Sequence, residues 1–207
     1  MTSPVLPAVF LAKVVQTAGD RAASWDAVAD VLSPPDAALV ERLRSGALTE
    51  VWRQGSSWLG DDVHVLTADL MSLDVYSRAA SRRDPADDLA DLLADHESLV
   101  ARDAGVVAPV RDLAALCREE AIAWAQGDPV HAKSLRVAQH DLVSSRLVPA
   151  LPELGGRLVR DARANVWRVL GRLVLAILSA DTGKDFRRAV LGAAADRAGR
   201  RPDSTTD

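Results

Sequence analysis

From Asp112 to Asp181 the chain places an apolar residue at every third or fourth position, with only two clear interruptions. That period puts the apolar side chains on one face of a helix, whereas a strand needs alternation in twos. Three consecutive helices follow from it. In the first, Val110, Leu113, Cys117, Ala121 and Trp124 share a face. In the second, Leu135, Ala138 and Leu142 do so, with Val143 and Leu147 beside them. The third is apolar over more than half its circumference. Leu158, Ala162, Val166, Val169, Leu173 and Ile177 form one stripe, widened by Trp167, Leu170, Val174 and Leu178. Its polar strip is narrow: Arg157, Asp161, Asn165, Arg168 and Arg172. A helix of this kind is expected in the middle of a bundle. The arginines interrupt every apolar run well short of the roughly 20 residues a bilayer requires.

The interruptions have their own chemistry. Gly127 suits the end of a helix, and Asp128-Pro129 supplies a capping oxygen followed by a proline at the first helical position. Leu151-Pro152-Glu153 is expected to start the third helix. Asp181, Thr182 and Gly183 close it and open a short last one.

Upstream, residues 4–18 predict a short apolar helix or strap, and Arg21 to Leu32 a clearer helix carrying Trp25, Val28 and Leu32 on one side. Ser33-Pro34-Pro35-Asp36 stops that helix and begins the next. The run from Asp36 to Gln54 keeps Leu39, Leu43, Ala47 and Val51 in register, with a bend or break at Ser45-Gly46. A polar loop around Trp58 precedes a helix from Asp62 to Arg82, and Asp84-Pro85 caps another. Arg102 to Pro109 is the least regular stretch. With 5 Trp, 1 Tyr and 2 Phe in 207 residues, the core must rest on Leu, Val and Ala, which favours helix. The expected fold is all-α: a single-domain helical bundle of about seven or eight helices over residues 1–197, with a polar, disordered tail at 198–207.

Charge and motifs narrow the function classes. The 25 basic and 29 acidic residues are interspersed, without the basic stripe of a nucleic-acid binder. The single cysteine, Cys117, excludes an internal disulfide and a four-cysteine metal site, and its apolar face predicts a buried thiol. The apolar segment from Pro4 to Val15 has no basic region before it and contains Lys13, so a secretory signal is not expected. A cytoplasmic protein is the simplest inference. No stable membrane insertion is expected, and the oligomeric state is open between monomer and homodimer.

Asp87, Asp88 and Asp91 match the DDxxD pattern with which helical terpene synthases bind magnesium and diphosphate. Acidic residues just after Asp84-Pro85 are equally what a helix N-terminus prefers, and few aromatics are available to line a carbocation pocket. None of the four histidines pairs at helical spacing with another, and neither a phosphate loop nor a GxSxG elbow is present. Neither catalytic nor metal-binding residues are assigned, and no cofactor is expected.

The segments LCREEAIAWAQGD, LRVAQHDLVSSRLVPALP and ARANVWRVLGRLVLAIL, in that order, resemble the TorD/DmsD/NarJ group of redox-enzyme maturation chaperones. Upstream, VADVLSPPDAALVERLRSGAL is similar to the first helix pair of that family, so the resemblance runs from about Arg21 to Leu191. Where family members carry a hinge motif resembling ExPxDH, this chain has Arg102-Asp103-Ala104-Gly105. The resemblance implies a non-enzymatic chaperone. It would bind the precursor of a molybdopterin oxidoreductase catalytic subunit, at its leader or N-terminal segment, until the cofactor is inserted. His96, Glu97, Asp103, Gln139 and His140 are the candidate polar contacts to that client. A helical adaptor without a redox client is the alternative from another class, and a magnesium-dependent isoprenoid enzyme built on the aspartates the third.

Overall fold

A computed structural model of the chain describes residues 8–59, 65–69 and 84–182. Among these every regular element is helical and none is a strand, so the all-α expectation holds. The start of the apolar strap, most of the helix expected over 62–82, the last short helix and the tail at 198–207 lie outside the described residues.

The first helix, α1 (Ala8–Leu32), is a single element about 37 Å long at 1.5 Å per residue. The expected boundary near residue 20 is absent. No proline falls in this stretch, and Gly19 lies at an open position where a helix tolerates it. Then come α2 (Ala37–Arg44), whose cap Asp36 accepts from the Leu39 N–H at 2.8 Å, and α3 (Ala47–Gln54). The expected break between them is real. Gly46 sits at φ 75°, a left-handed conformation that glycine adopts without steric cost. A single turn, Ser56–Leu59, follows.

Asp84 caps α4 (Pro85–Asp95), accepting from the Ala86 N–H at 2.9 Å. A π-helical turn (His96–Val100) and a 3₁₀ segment (Ala101–Val106) lead into α5 (Val107–Ala125). Gly127, at φ 74°, reverses the chain into α6 (Pro129–Leu142), capped by Asp128. A second π turn (Val143–Leu147) joins α6 to α7 (Val148–Asp161), and α8 is Asn165–Thr182.

Two expectations are corrected here. Pro152 does not start a helix. It lies inside α7, whose beginning is set by the π turn before it. Pro149 occupies the first turn, where a missing N–H matters little, and Pro152 falls only one turn later. The long third helix is likewise two helices. Ala162 leaves the helical region at φ −65°, ψ 139°, and α7 and α8 fold back on one another. The stop comes from elsewhere in the chain. Oδ2 of the buried Asp95 accepts from the backbone N–H groups of Arg163 and Ala164 at 2.9 and 2.8 Å, satisfying donors a new helix would leave exposed.

The most extensive contact in the bundle is between α1 and α5, and the next is the α7–α8 hairpin. In that hairpin the backbones approach closely at two glycines. A Cβ on Gly171 would lie 2.8 Å from Leu158 Cβ and 3.0 Å from the Gly155 carbonyl oxygen. One apolar core runs from Ala22 in α1 to Leu178 in α8, and Trp25, Trp52 and Trp167 are fully buried in it. Trp167 also donates its indole N–H to the Leu92 carbonyl at 3.2 Å, tying α8 to α4.

Candidate functional site

The most polar place in this interior is built around Arg21. Ala18, Ala22, Trp25 and Val28 hold the inner face of α1, and Arg21 lies on that same face, 4% exposed. Its Nε donates to Asp181 Oδ1 at the end of α8, at 2.8 Å, and Nη2 lies 2.6 Å from the same oxygen. Nη1 donates to Gln139 Oε1 of α6 at 2.7 Å and lies 3.4 Å from Glu120 Oε2 of α5. Four helices therefore meet at one guanidinium.

Glu120 is the second centre. Its Oε2 accepts from the Gln139 amide at 2.9 Å and from Arg136 at 3.4 Å, and its Oε1 from the Trp124 indole N–H at 3.3 Å. The Gln139 amide also donates to the Leu116 carbonyl at 3.1 Å. The Trp58 ring lies 6.0 Å from the Arg21 guanidinium carbon, within cation–π range. Oδ2 of Asp181 is buried and has no hydrogen-bond partner among the described residues. Two cations, Arg21 and Arg136, balance two carboxylates, which is how a buried charge cluster becomes tolerable.

The electrostatics follow from that arrangement. Burial alone would lower the Arg21 pKa, but Asp181, with smaller contributions from Cys117 and Glu120, more than offsets it and the value rises. Burial pushes the Cys117 thiol up to about 12, against the opposing pull of Arg21. A thiol in that state carries almost no thiolate at neutral pH and is not a nucleophile. Burial also raises Asp20, the neighbour of Arg21. Glu120 is held on both oxygens by donors, so the cluster joins α1, α5, α6 and α8 and fixes their orientation.

The five expected contact residues fall in two places. Gln139 is part of the cluster and is 1% exposed, so it is an interior strut rather than a surface contact. His140, next to it, points outward, with Nδ1 3.9 Å from the Asp141 carboxylate. His96, Glu97 and Asp103 belong to the irregular link between α4 and α5. His96 is buried, its Nε2 lies 3.3 Å from the Leu32 carbonyl, and its ring is 6.1 Å from that of Trp167. Asp103 is paired with Arg157 of α7, which also reaches the Leu99 carbonyl at 3.4 Å. Glu97 is exposed.

The aspartate run is divided among structural tasks. Asp88 is buried and accepts from both Nε and Nη2 of Arg44, at 3.0 and 2.7 Å, while Asp87 faces solvent in the first turn of α4. No group of three or more His, Cys, Asp or Glu side chains among the described residues is arranged to hold a metal ion. Nor is any helix among them long and apolar enough to cross a membrane.

Comparison with known protein families, curated proteins and solved structures gives no match. The likeness to the maturation chaperones therefore rests on the quoted segments alone. Two of them, LCREEAIAWAQGD and LRVAQHDL, are the α5–α6 hairpin; the first places Glu120 in the cluster and the second Arg136 and Gln139.

Arg21 and Asp181 went unrecognised in the sequence as site residues, although a signal for Arg21 was present. It stands three residues after Ala18 and four before Trp25, in the apolar register of its helix. A charge at such a position is either buried and paired or it ends the helix, and here it is buried and paired.

Proposed function

We propose that this chain is a maturation chaperone of the TorD/DmsD/NarJ kind. It binds the precursor of a molybdopterin oxidoreductase and holds its leader or N-terminal segment in the cytoplasm until the cofactor is inserted. The observation that carries the reading is the convergence of Glu120 and Gln139. Two separately recognised segments form one hairpin and meet, at 2.9 Å, in one buried cluster. The apolar side chains Ile122 (49%), Val130 (78%) and Val137 (61%) of the same hairpin are exposed, and the apolar part of a peptide would gain from covering them.

Among the five candidate contacts, Glu97 and His140 are exposed and free to meet a client directly. Glu97→Lys is the clean charge test, since Asp103→Lys would also break the pair with Arg157. The reading expects Glu97→Lys to weaken client binding and to flatten its salt dependence, because a basic leader loses one attraction. Deletion of the gene in its host should leave the client oxidoreductase without cofactor and inactive. Normal activity of every molybdopterin oxidoreductase in the deletion strain would overturn the proposal and leave a helical adaptor as the better description.

A further inference from the structure

We infer that α6 is a hinged cover that lifts from the bundle as a unit, with Gln139 as its catch. The inference concerns the fold alone and stands apart from the identity of any client. Little of α6 is buried: Ala132, Leu135 and Gln139. Its extensive contact among the described residues is with α5. The apolar part of that contact is a small satellite of Ala123, Ala132 and Leu135, with Leu116 and Trp124 against it, separate from the main core, which α6 meets at Leu142, its last residue. The helices on either side in sequence are differently placed. Leu113 and Cys117 of α5, and Leu151 and Leu154 of α7, belong to the main core.

Each end of α6 has a device that can absorb a rotation. At the start Gly127 holds φ 74°, and at the end the π turn Val143–Leu147 interrupts the regular helical ladder. Leu147 is already buried in the main core, so the far side of this hinge is anchored.

Besides that satellite, one polar side chain holds the cover down. The Gln139 amide donates to Glu120 and Leu116 and its oxygen accepts from Arg21, at 2.9, 3.1 and 2.7 Å. Arg136, half exposed, adds only contacts of 3.4 and 3.5 Å. Lifting α6 breaks these bonds but lets water reach Glu120 and Arg21. Rehydration of two charges offsets much of what the broken bonds cost. An apolar helix seated in the main core has no such compensation. Partial opening at α6 is therefore favoured over opening anywhere in the α1–α5 or α7–α8 contacts.

The test uses the full chain with Cys117→Ala and Ala132→Cys, so that the only thiol lies under α6. Labelling by a thiol reagent is followed across low urea concentrations, and global unfolding of the same variant is measured by circular dichroism. The expected result is labelling through an opening at least about 100-fold more populated than global unfolding, with little dependence on urea. Adding Gln139→Ala should speed labelling about tenfold or more, beyond any change in global stability. Amide hydrogen exchange on the unaltered protein gives a second reading that needs no substitution: a 14-residue helix lifted off its support is marginal in water and frays, so residues 135–140 should exchange well ahead of 113–120. If labelling at position 132 tracks the global unfolding curve, or if the α6 and α5 amides exchange together, the cover does not exist.

Discussion

Replacing Arg21 with methionine should be among the most damaging single changes available in this chain. The side chain is 4% exposed and bonded at 2.6–2.8 Å to Asp181 and Gln139, with Glu120 at 3.4 Å. At an effective dielectric of about 20, each close charge contact contributes about 5 kcal/mol of attraction, set against several kcal/mol of desolvation per ion. The pair terms and the desolvation nearly cancel while the cluster is whole. Removing only the cation leaves two carboxylates buried without it, a loss of about 3–5 kcal/mol. Urea denaturation at neutral pH should show that deficit directly. The triple variant Arg21→Met, Glu120→Gln, Asp181→Asn should recover to within about 1 kcal/mol of the original. A single-variant deficit under about 1 kcal/mol, or a triple variant no better than the single, would refute the account of the cluster.

Trp167→Ala should cost about 3–5 kcal/mol in the same assay, because a fully buried ring and its bond to Leu92 are lost; Arg168→Ala, exposed on the polar strip, should cost much less. Gly171→Ala should cost about 1–3 kcal/mol by forcing the α7–α8 hairpin apart, whereas Gly19→Ala, with open space around it, should stabilise by about 0.5–1 kcal/mol. Cys117 should resist thiol reagents until the protein unfolds. Its raised folded pKa gives a contribution fully present below the unfolded value of about 8.5 and lost as pH rises toward about 12, by up to about 1.4 kcal/mol per pH unit. The stability of the unaltered chain should therefore fall relative to Cys117→Ala between pH 8.5 and 10.5, and parallel profiles would place the thiol in contact with water.

The parts of this fold legible in the sequence are those written locally. Asp36, Asp84 and Asp128 each cap the helix they precede, and Gly46 and Gly127 both take positive φ where a turn was expected. The break at Ala162 was not legible, because alanine is the strongest helix former and the signal that stops the helix, Asp95, is 68 residues away from Arg163. Pro152 misled for the converse reason. A proline near a helix start costs little, and the π turn that sets that start has no sequence signature. At the candidate site, Gln139 was visible as part of a motif, but the partners that define its role lie 19 and 118 residues away in Glu120 and Arg21. His96 is expected above as a surface contact, yet it shares the helical spacing of the apolar Leu89, Leu92 and Leu99, and it is buried with that stripe where a π turn continues the helix.

The claim that this chain acts by holding an immature enzyme is tested most directly by what it carries in its own host. The tagged protein should be purified under gentle conditions, and the proteins that accompany it identified by mass spectrometry together with the state of their N-termini. The account predicts a molybdopterin oxidoreductase catalytic subunit that retains its leader and lacks its cofactor, recovered in smaller amount with Glu97→Lys. Recovery of no such subunit, or of only the mature, cofactor-loaded enzyme, would contradict it.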